Sequence, residues 1–225
     1  MLVGFPPGGA ADFVARALAD PLARELGQPL VIENRPGAGS SIAAEVAARA
    51  APDGYTILIA SPSSIMVNPL LMPKLGYNAK TDLAPITQVS ASPMVVAANP
   101  ATGITTLREL IDAAKNAPGR LNFASAGNGS APHLAGVLFL RVAGVDIVHV
   151  PFKGGGPAVA SVLAGDTQVT FATPPSVLPQ IEAGRLRGLA VTSRKGSALF
   201  PKLPGTEEAG LPDYEISFWY GLFAP

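Results

Sequence analysis

Leu121-Asn122-Phe123-Ala124-Ser125-Ala126-Gly127-Asn128-Gly129-Ser130-Ala131-Pro132 contains one repeat of the fold in a single stretch. The short apolar run at its start reads as a buried strand, and a turn of small residues follows. Ser130 ahead of Ala131-Pro132 then opens a helix as a cap and an early-turn proline should. The same order recurs along the chain. Leu30-Val31-Ile32, Tyr55 to Ala60, Met94 to Ala97, Ile147 to Val150, Val169 to Phe171 and Leu189 to Val191 also read as buried strands, with Ala-rich helical stretches between most of them. Phe13, Ala17, Leu18, Leu22 and Leu26 fall at helical spacing, with Asp20-Pro21 expected to kink or restart that helix. Thr106-Leu107-Arg108-Glu109 has the pattern of a capping box. Gly156-Pro157 marks another helix start. The rhythm implies an α/β fold with a mostly parallel sheet.

Composition narrows the function classes. Lys+Arg and Asp+Glu each number 16, and only 14% of the residues are charged, so no basic surface for nucleic acid is evident. Cysteine is absent, which rules out disulfides and thiolate metal sites. With two His and no clustered carboxylates, neither a metal nor a cofactor is expected. The apolar runs are short and broken, and Met1 to Pro7 has neither a basic n-region nor an apolar h-region.

Four loops of small residues carry the functional signal, each between an expected strand and a helix. They are Phe5-Pro6-Pro7-Gly8-Gly9-Ala10-Ala11-Asp12, Ser61-Pro62-Ser63-Ser64, Ser125 to Ser130, and Pro151-Phe152-Lys153-Gly154-Gly155-Gly156. In an open α/β sheet such loops emerge at the carboxyl ends of the strands, where ligands bind. Glycine allows close backbone approach, and a first helical turn offers unpaired N–H groups with partial positive charge. None of the loops contains Arg and only Lys153 adds a cation, which suits a carboxylate held by neutral donors. The 154–157 stretch lacks the Lys of a phosphate-binding loop, and 127–129 lacks the third glycine of a dinucleotide fingerprint. Ser130, His133 and Asp12 do not make a hydrolase triad, since Ser130 fits a helix cap and no Gly-x-Ser-x-Gly elbow is present. Asp12 reads either as a ligand or water contact or as a dipole-complementing cap. Lys153 reads as a partner for a distal carboxylate or as a solvated loop lysine. His149 reads as a satisfied core or edge histidine, and Trp219 and Tyr220 as aromatics buried at an interface of lobes.

Ordered matches along the whole chain carry a resemblance. Phe5-Pro6-Pro7-Gly8-Gly9 through Asp12, Leu26-Gly27-Gln28-Pro29, Val31 to Gly39, Ala51-Pro52-Asp53-Gly54-Tyr55-Thr56, Ser125 to Leu134, Val150 to Pro157 and Ala209-Gly210-Leu211-Pro212 closely resemble the tripartite tricarboxylate transporter substrate-binding proteins, also called Bug receptors. The resemblance implies a type II periplasmic-binding-protein-like α/β fold with two lobes and a ligand cleft between them. Lobe 1 is expected at 1–98 plus 216–225 and lobe 2 at 99–215, with crossings near 97–103 and 197–213. It further implies an export signal before Met1 and further helices after Pro225 in relatives.

The function that the resemblance implies is periplasmic, non-enzymatic capture of a small organic acid by a monomer. The acid, a mono-, di- or tricarboxylate, an aromatic acid or an amino acid, is then delivered to membrane subunits of a tripartite transporter. A ligand-sensing module on the same fold and an α/β hydrolase are the rival readings. The expected ligand contacts are Phe5, Pro7, Gly8, Gly9, Ala10 and Asp12 in the first loop, with Ser61 and Ser63 toward the far end of the ligand. On the second lobe they are Ser125, Gly127, Asn128, Gly129, Ser130, His133, Lys153, Gly154 and Thr173.

Overall fold

The computed structural model describes residues 1–225, which divide into two compact units. The first comprises Met1–Ala91 and Trp219–Pro225, and the second Ser92–Phe218. In chain order the elements are β1 (Leu2–Val3), α1 (Ala10–Leu26), β2 (Glu33–Asn34), α2 (Ser41–Ala48), β3 (Leu58–Ala60), α3 (Asn68–Leu71), β4 (Ala84–Pro93), β5 (Val95–Ala98), α4 (Leu107–Asn116) and β6 (Asn122–Ser125). Then follow α5 (Ala131–Ala143), β7 (Val148–Pro151), α6 (Gly155–Ala164), β8 (Val169–Ala172), α7 (Pro174–Glu182), β9 (Arg187–Val191) and β10 (Ser217–Ala224).

The first unit has a five-stranded sheet in the order β2-β1-β3-β10-β4, with β1 parallel to both β2 and β3 and β10 antiparallel to β3. Its core gathers Leu2, Leu58, Ala60 and Phe223 from the sheet, Ala43, Ala44 and Ala47 from α2, and Tyr77 and Leu83. Trp219 packs against this core. The second unit has the order β7-β6-β8-β5-β9, with β6 parallel to β7 and β8, and β5 antiparallel to both β8 and β9. Val95, Ala97, Ala124, Val159, Val162, Ala172 and Val177 fill one face of it. Phe139, Phe171 and Tyr214 form an aromatic cluster in which Tyr214 meets both phenylalanines edge-to-face, and the Tyr214 hydroxyl donates to the Ala135 carbonyl at 3.0 Å.

Several sequence expectations change. Residues 30–32 are not a strand: β2 begins at Glu33, and Val31 lies exposed at the sheet's edge. Helix α1 runs unbroken through Pro21, because the missing N–H falls on the exposed side. Its buried face is Ala11 and Ala15, whereas Phe13 and Leu26 are exposed. The turn at 97–103 lies wholly inside the second unit, and the chain passes between units within β4 and β10. Prolines at both ends of β4 hid that strand in the sequence, and proline is tolerated at a sheet edge.

Candidate functional site

Parallel strands direct their following loops to one edge of each sheet. In the first unit the turn after β1 enters α1, and the turn after β3 enters a π-helical segment at Ser63–Val67. In the second unit the loops after β6, β7 and β8 enter α5, α6 and α7, all from the same edge. Each predicted site residue therefore sits at a carboxyl edge of its own sheet.

The first loop is braced from within. Gly8 takes φ +80°, and its N–H donates to Asp12 Oδ2 at 3.0 Å. Arg16 Nε donates to the same oxygen at 2.9 Å, and Asn34 Nδ2 donates to Asp12 Oδ1 at 3.0 Å and to the Phe5 carbonyl at 2.9 Å. Burial alone would raise the Asp12 carboxyl, but the hydrogen bonds from Arg16, Gly8 and Asn34 outweigh it and hold the group below the usual carboxylate value. Asp12 is thus a strut for the loop, and Phe5 serves it through its carbonyl. Pro7 is exposed and has no N–H to give.

Gly9 is the N-cap of α1 and provides no side-chain cap. The N–H groups of Ala10 and Ala11 in the first turn make no hydrogen bond within the protein. Gly9 has an ordinary φ of −83°, and a Cβ there would meet only the Pro6 carbonyl oxygen, at 3.4 Å. The fold itself therefore does not require glycine at this position. After β3, Ser61 and Ser63 are fully buried and their hydroxyl oxygens have no hydrogen-bond partner. A buried hydroxyl left unpaired costs on the order of 1–3 kcal/mol, so each of the two gains from any polar partner that reaches it, as would Gln180 Oε1, which is also unpartnered.

The 125–130 loop uses more of its own donors than the sequence suggested. Ser125 Oγ lies 2.6 Å from His149 Nε2 and accepts the Gly127 N–H at 3.1 Å. The Gly129 N–H donates to His133 Nδ1 at 3.1 Å, and the Ser130 N–H donates to the Gly127 carbonyl at 3.1 Å. Ser130 occupies the N-cap position of α5, but its hydroxyl donates to the Gly127 carbonyl at 2.6 Å and makes no cap bond. The N–H groups of Ala126, Asn128, Ala131 and His133 remain without a partner. Burial lowers His133 below the ordinary imidazole value, and burial together with the neighbouring His133 lowers His149 to about 4. Both rings are neutral near pH 7.

Gly154, with φ +120°, is the N-cap of α6 and leaves the N–H groups of Gly155 and Gly156 unpaired. Lys153 beside them is exposed, and no protein carboxylate pairs with it. Thr173 caps no amide of α7: prolines stand at the first two helical positions, and its hydroxyl lies 3.2 Å from Ser176 Oγ. His149 is a satisfied histidine on the edge strand β7, and its tie to Ser125 joins residues 24 apart.

No group of three or more His, Cys, Asp or Glu is placed to hold a metal ion, and no helix is long and apolar enough to cross a membrane. What both carboxyl edges offer instead is a set of neutral donors, namely backbone amides at uncapped helix starts and buried hydroxyls. Such donors suit an anion that can accept several hydrogen bonds at once.

Comparison with known proteins bears on this arrangement. Residues 14–225 match the model described as tripartite tricarboxylate transporter family receptor. The BugT protein of Bordetella pertussis is 41% identical over all of this chain, which spans 69% of that relative. Among solved structures, an R. palustris protein with adipate superposes with a TM-score of 0.96 at 35% identity, covering all of this chain and 75% of that one. MatC from Rhodopseudomonas palustris with bound malate gives 0.92 at 32%, covering all of this chain and 76% of that one. The periplasmic binding protein BugD gives 0.93 at 34%, covering all of this chain and 75% of that one. These neighbours have the two-lobed type II periplasmic-binding fold, and the two α/β units share it.

Proposed function

The chain belongs to the tripartite tricarboxylate transporter receptor family, and from that premise we propose that it captures a small organic carboxylate in the periplasm and delivers it to the transporter's membrane subunits. The family is one of substrate-binding receptors, so the chain binds and carries its substrate without turning it over.

The observation that carries the reading is the uncapped state of the helix starts at the carboxyl edges. The amides of Ala10 and Ala11 in one unit, and of Asn128, Gly155 and Gly156 in the other, are donors without acceptors. A carboxylate has about four lone-pair sites and takes such donors well. Ser61, Ser63 and Thr173 offer hydroxyls for the remainder of the acid, and Lys153 offers a distal charge. Adipate and malate in the solved relatives give the size class to try first.

Titration calorimetry against adipate, malate, an aromatic acid and the dimethyl ester of adipate tests this. Saturable one-to-one binding of at least one free acid, with none for the ester, is expected. Equal binding of acid and ester, or hydrolysis of the ester, would refute it.

A further inference from the structure

Three stacked rings support the 125–130 loop. Phe123, in the core on β6, stacks on His149 of β7 with centroids 4.8 Å apart, and His149 stacks on His133 of α5 at 4.2 Å. The base of this column is fixed by contact: Phe123 meets Phe171 edge-on at 5.6 Å. A Cβ on Gly136 would lie 2.4 Å from the Phe123 ring. The top is tied to the loop at two points, with His149 reaching the Gly127 N–H through Ser125 Oγ and His133 Nδ1 accepting the Gly129 N–H. Gly127 and Gly129, at φ +114° and +73°, flank Asn128, whose own N–H stays unbonded.

We propose that His133 and His149 are positioning residues that pin the glycines on either side of Asn128 and so aim its amide at the substrate. Two glycines in left-handed backbone are the softest joints of the loop, and fixing them beforehand removes an ordering cost from binding. The acceptor role of Nδ1 places the His133 proton on Nε2. A second proton on that ring would face the Gly129 N–H and remove the pin. The titratable group acting on His149 is His133 itself, so the two rings cannot cheaply be charged together. The proposal rests on the carboxylate reading above for its effect on affinity, but the pins themselves are a property of the free protein.

The test uses two pairs of variants. His133→Leu removes the acceptor, whereas His133→Asn puts Oδ1 where Nδ1 was; His149→Phe keeps the stack but loses Nε2, whereas His149→Gln keeps a polar atom within reach. Affinity for adipate and malate should fall about tenfold in the Leu and Phe variants and by less than about threefold in the Asn and Gln variants. In the ligand-free protein, the amide resonances of Gly127 and Gly129 should move in the Leu and Phe variants. In the unsubstituted protein, the Gly129 resonance should follow the titration of His133.

Equal weakening within each pair would reduce the column to a structural role and overturn the proposal. Unchanged affinity in all four variants would do the same. If the unsubstituted protein binds none of the free acids, the aromatic acid included, the carboxylate reading falls separately. The amide resonances then decide, and their failure to move in the Leu and Phe variants overturns the pins.

Discussion

The two edges of the second unit's sheet treat their helix starts in opposite ways. At the edge where antiparallel β5 ends, α4 begins with a complete capping box: Thr106 Oγ1 accepts the Glu109 N–H at 3.1 Å, and Glu109 accepts the N–H groups of Thr105 and Thr106. The turn before it is capped as well, by Asn99 Oδ1 on the Ala101 N–H at 2.7 Å. At the opposite edge α5, α6 and α7 have no side-chain cap, although Ser130 and Thr173 are residue types that cap well. A cap contributes about 1 kcal/mol. At α5 the right hydroxyl is in place and the first amides stay open all the same; α1 and α6 likewise start with open amides, whereas α7, beginning with two prolines, has none to offer at its first two positions.

The contrast can be broken most severely at α1. Gly9→Val should lower acid affinity roughly a hundredfold or more, since it blocks at least two hydrogen bonds to a charged group at about 1.5–3 kcal/mol each. The melting temperature should fall by only a few degrees, because φ at Gly9 is ordinary and the nearest atom to a Cβ is 3.4 Å away, which leaves about 1 kcal/mol for valine's poorer fit as an N-cap. Calorimetry and a melt on the same sample check both halves; intact affinity would remove the first loop from the site.

A matched pair sharpens the comparison within the second unit. Thr106→Ala should cost about 1 kcal/mol of stability and leave affinity untouched, as a true cap does. Ser130→Ala should weaken binding about tenfold by freeing the Gly127 carbonyl. Denaturant melts and titrations on both variants separate these effects, and identical behaviour of the two would erase the distinction between the edges. The smallest change is expected from Lys153→Gln, no more than about threefold in affinity and fading at high salt, because the ammonium is exposed.

The positions of the loops were legible in the sequence, since strand, small residues and helix cap follow one another within a few residues. Which donors the loops keep was not. Beside the near contacts of Gly8 and Arg16, the brace on Asp12 needs Asn34, 22 residues on, and the partner of Ser125 is His149, 24 residues on. No local pattern announces either pairing. Ser130 shows the limit most plainly: residue type and backbone angles both say N-cap, and only the placement of Gly127 turns the hydroxyl away. Local propensity likewise could not show that a strand flanked by prolines carries the chain between units.

Backbone amide resonances followed during titration with a bound acid measure the central claim most directly. The N–H protons of Ala10, Ala11, Asn128, Gly155 and Gly156 should shift downfield together as the acid saturates, while those of Ala101, Thr105, Thr106 and Glu109 stay fixed. Saturation that moves the capped set, or that leaves the uncapped amides where they were, would contradict the account.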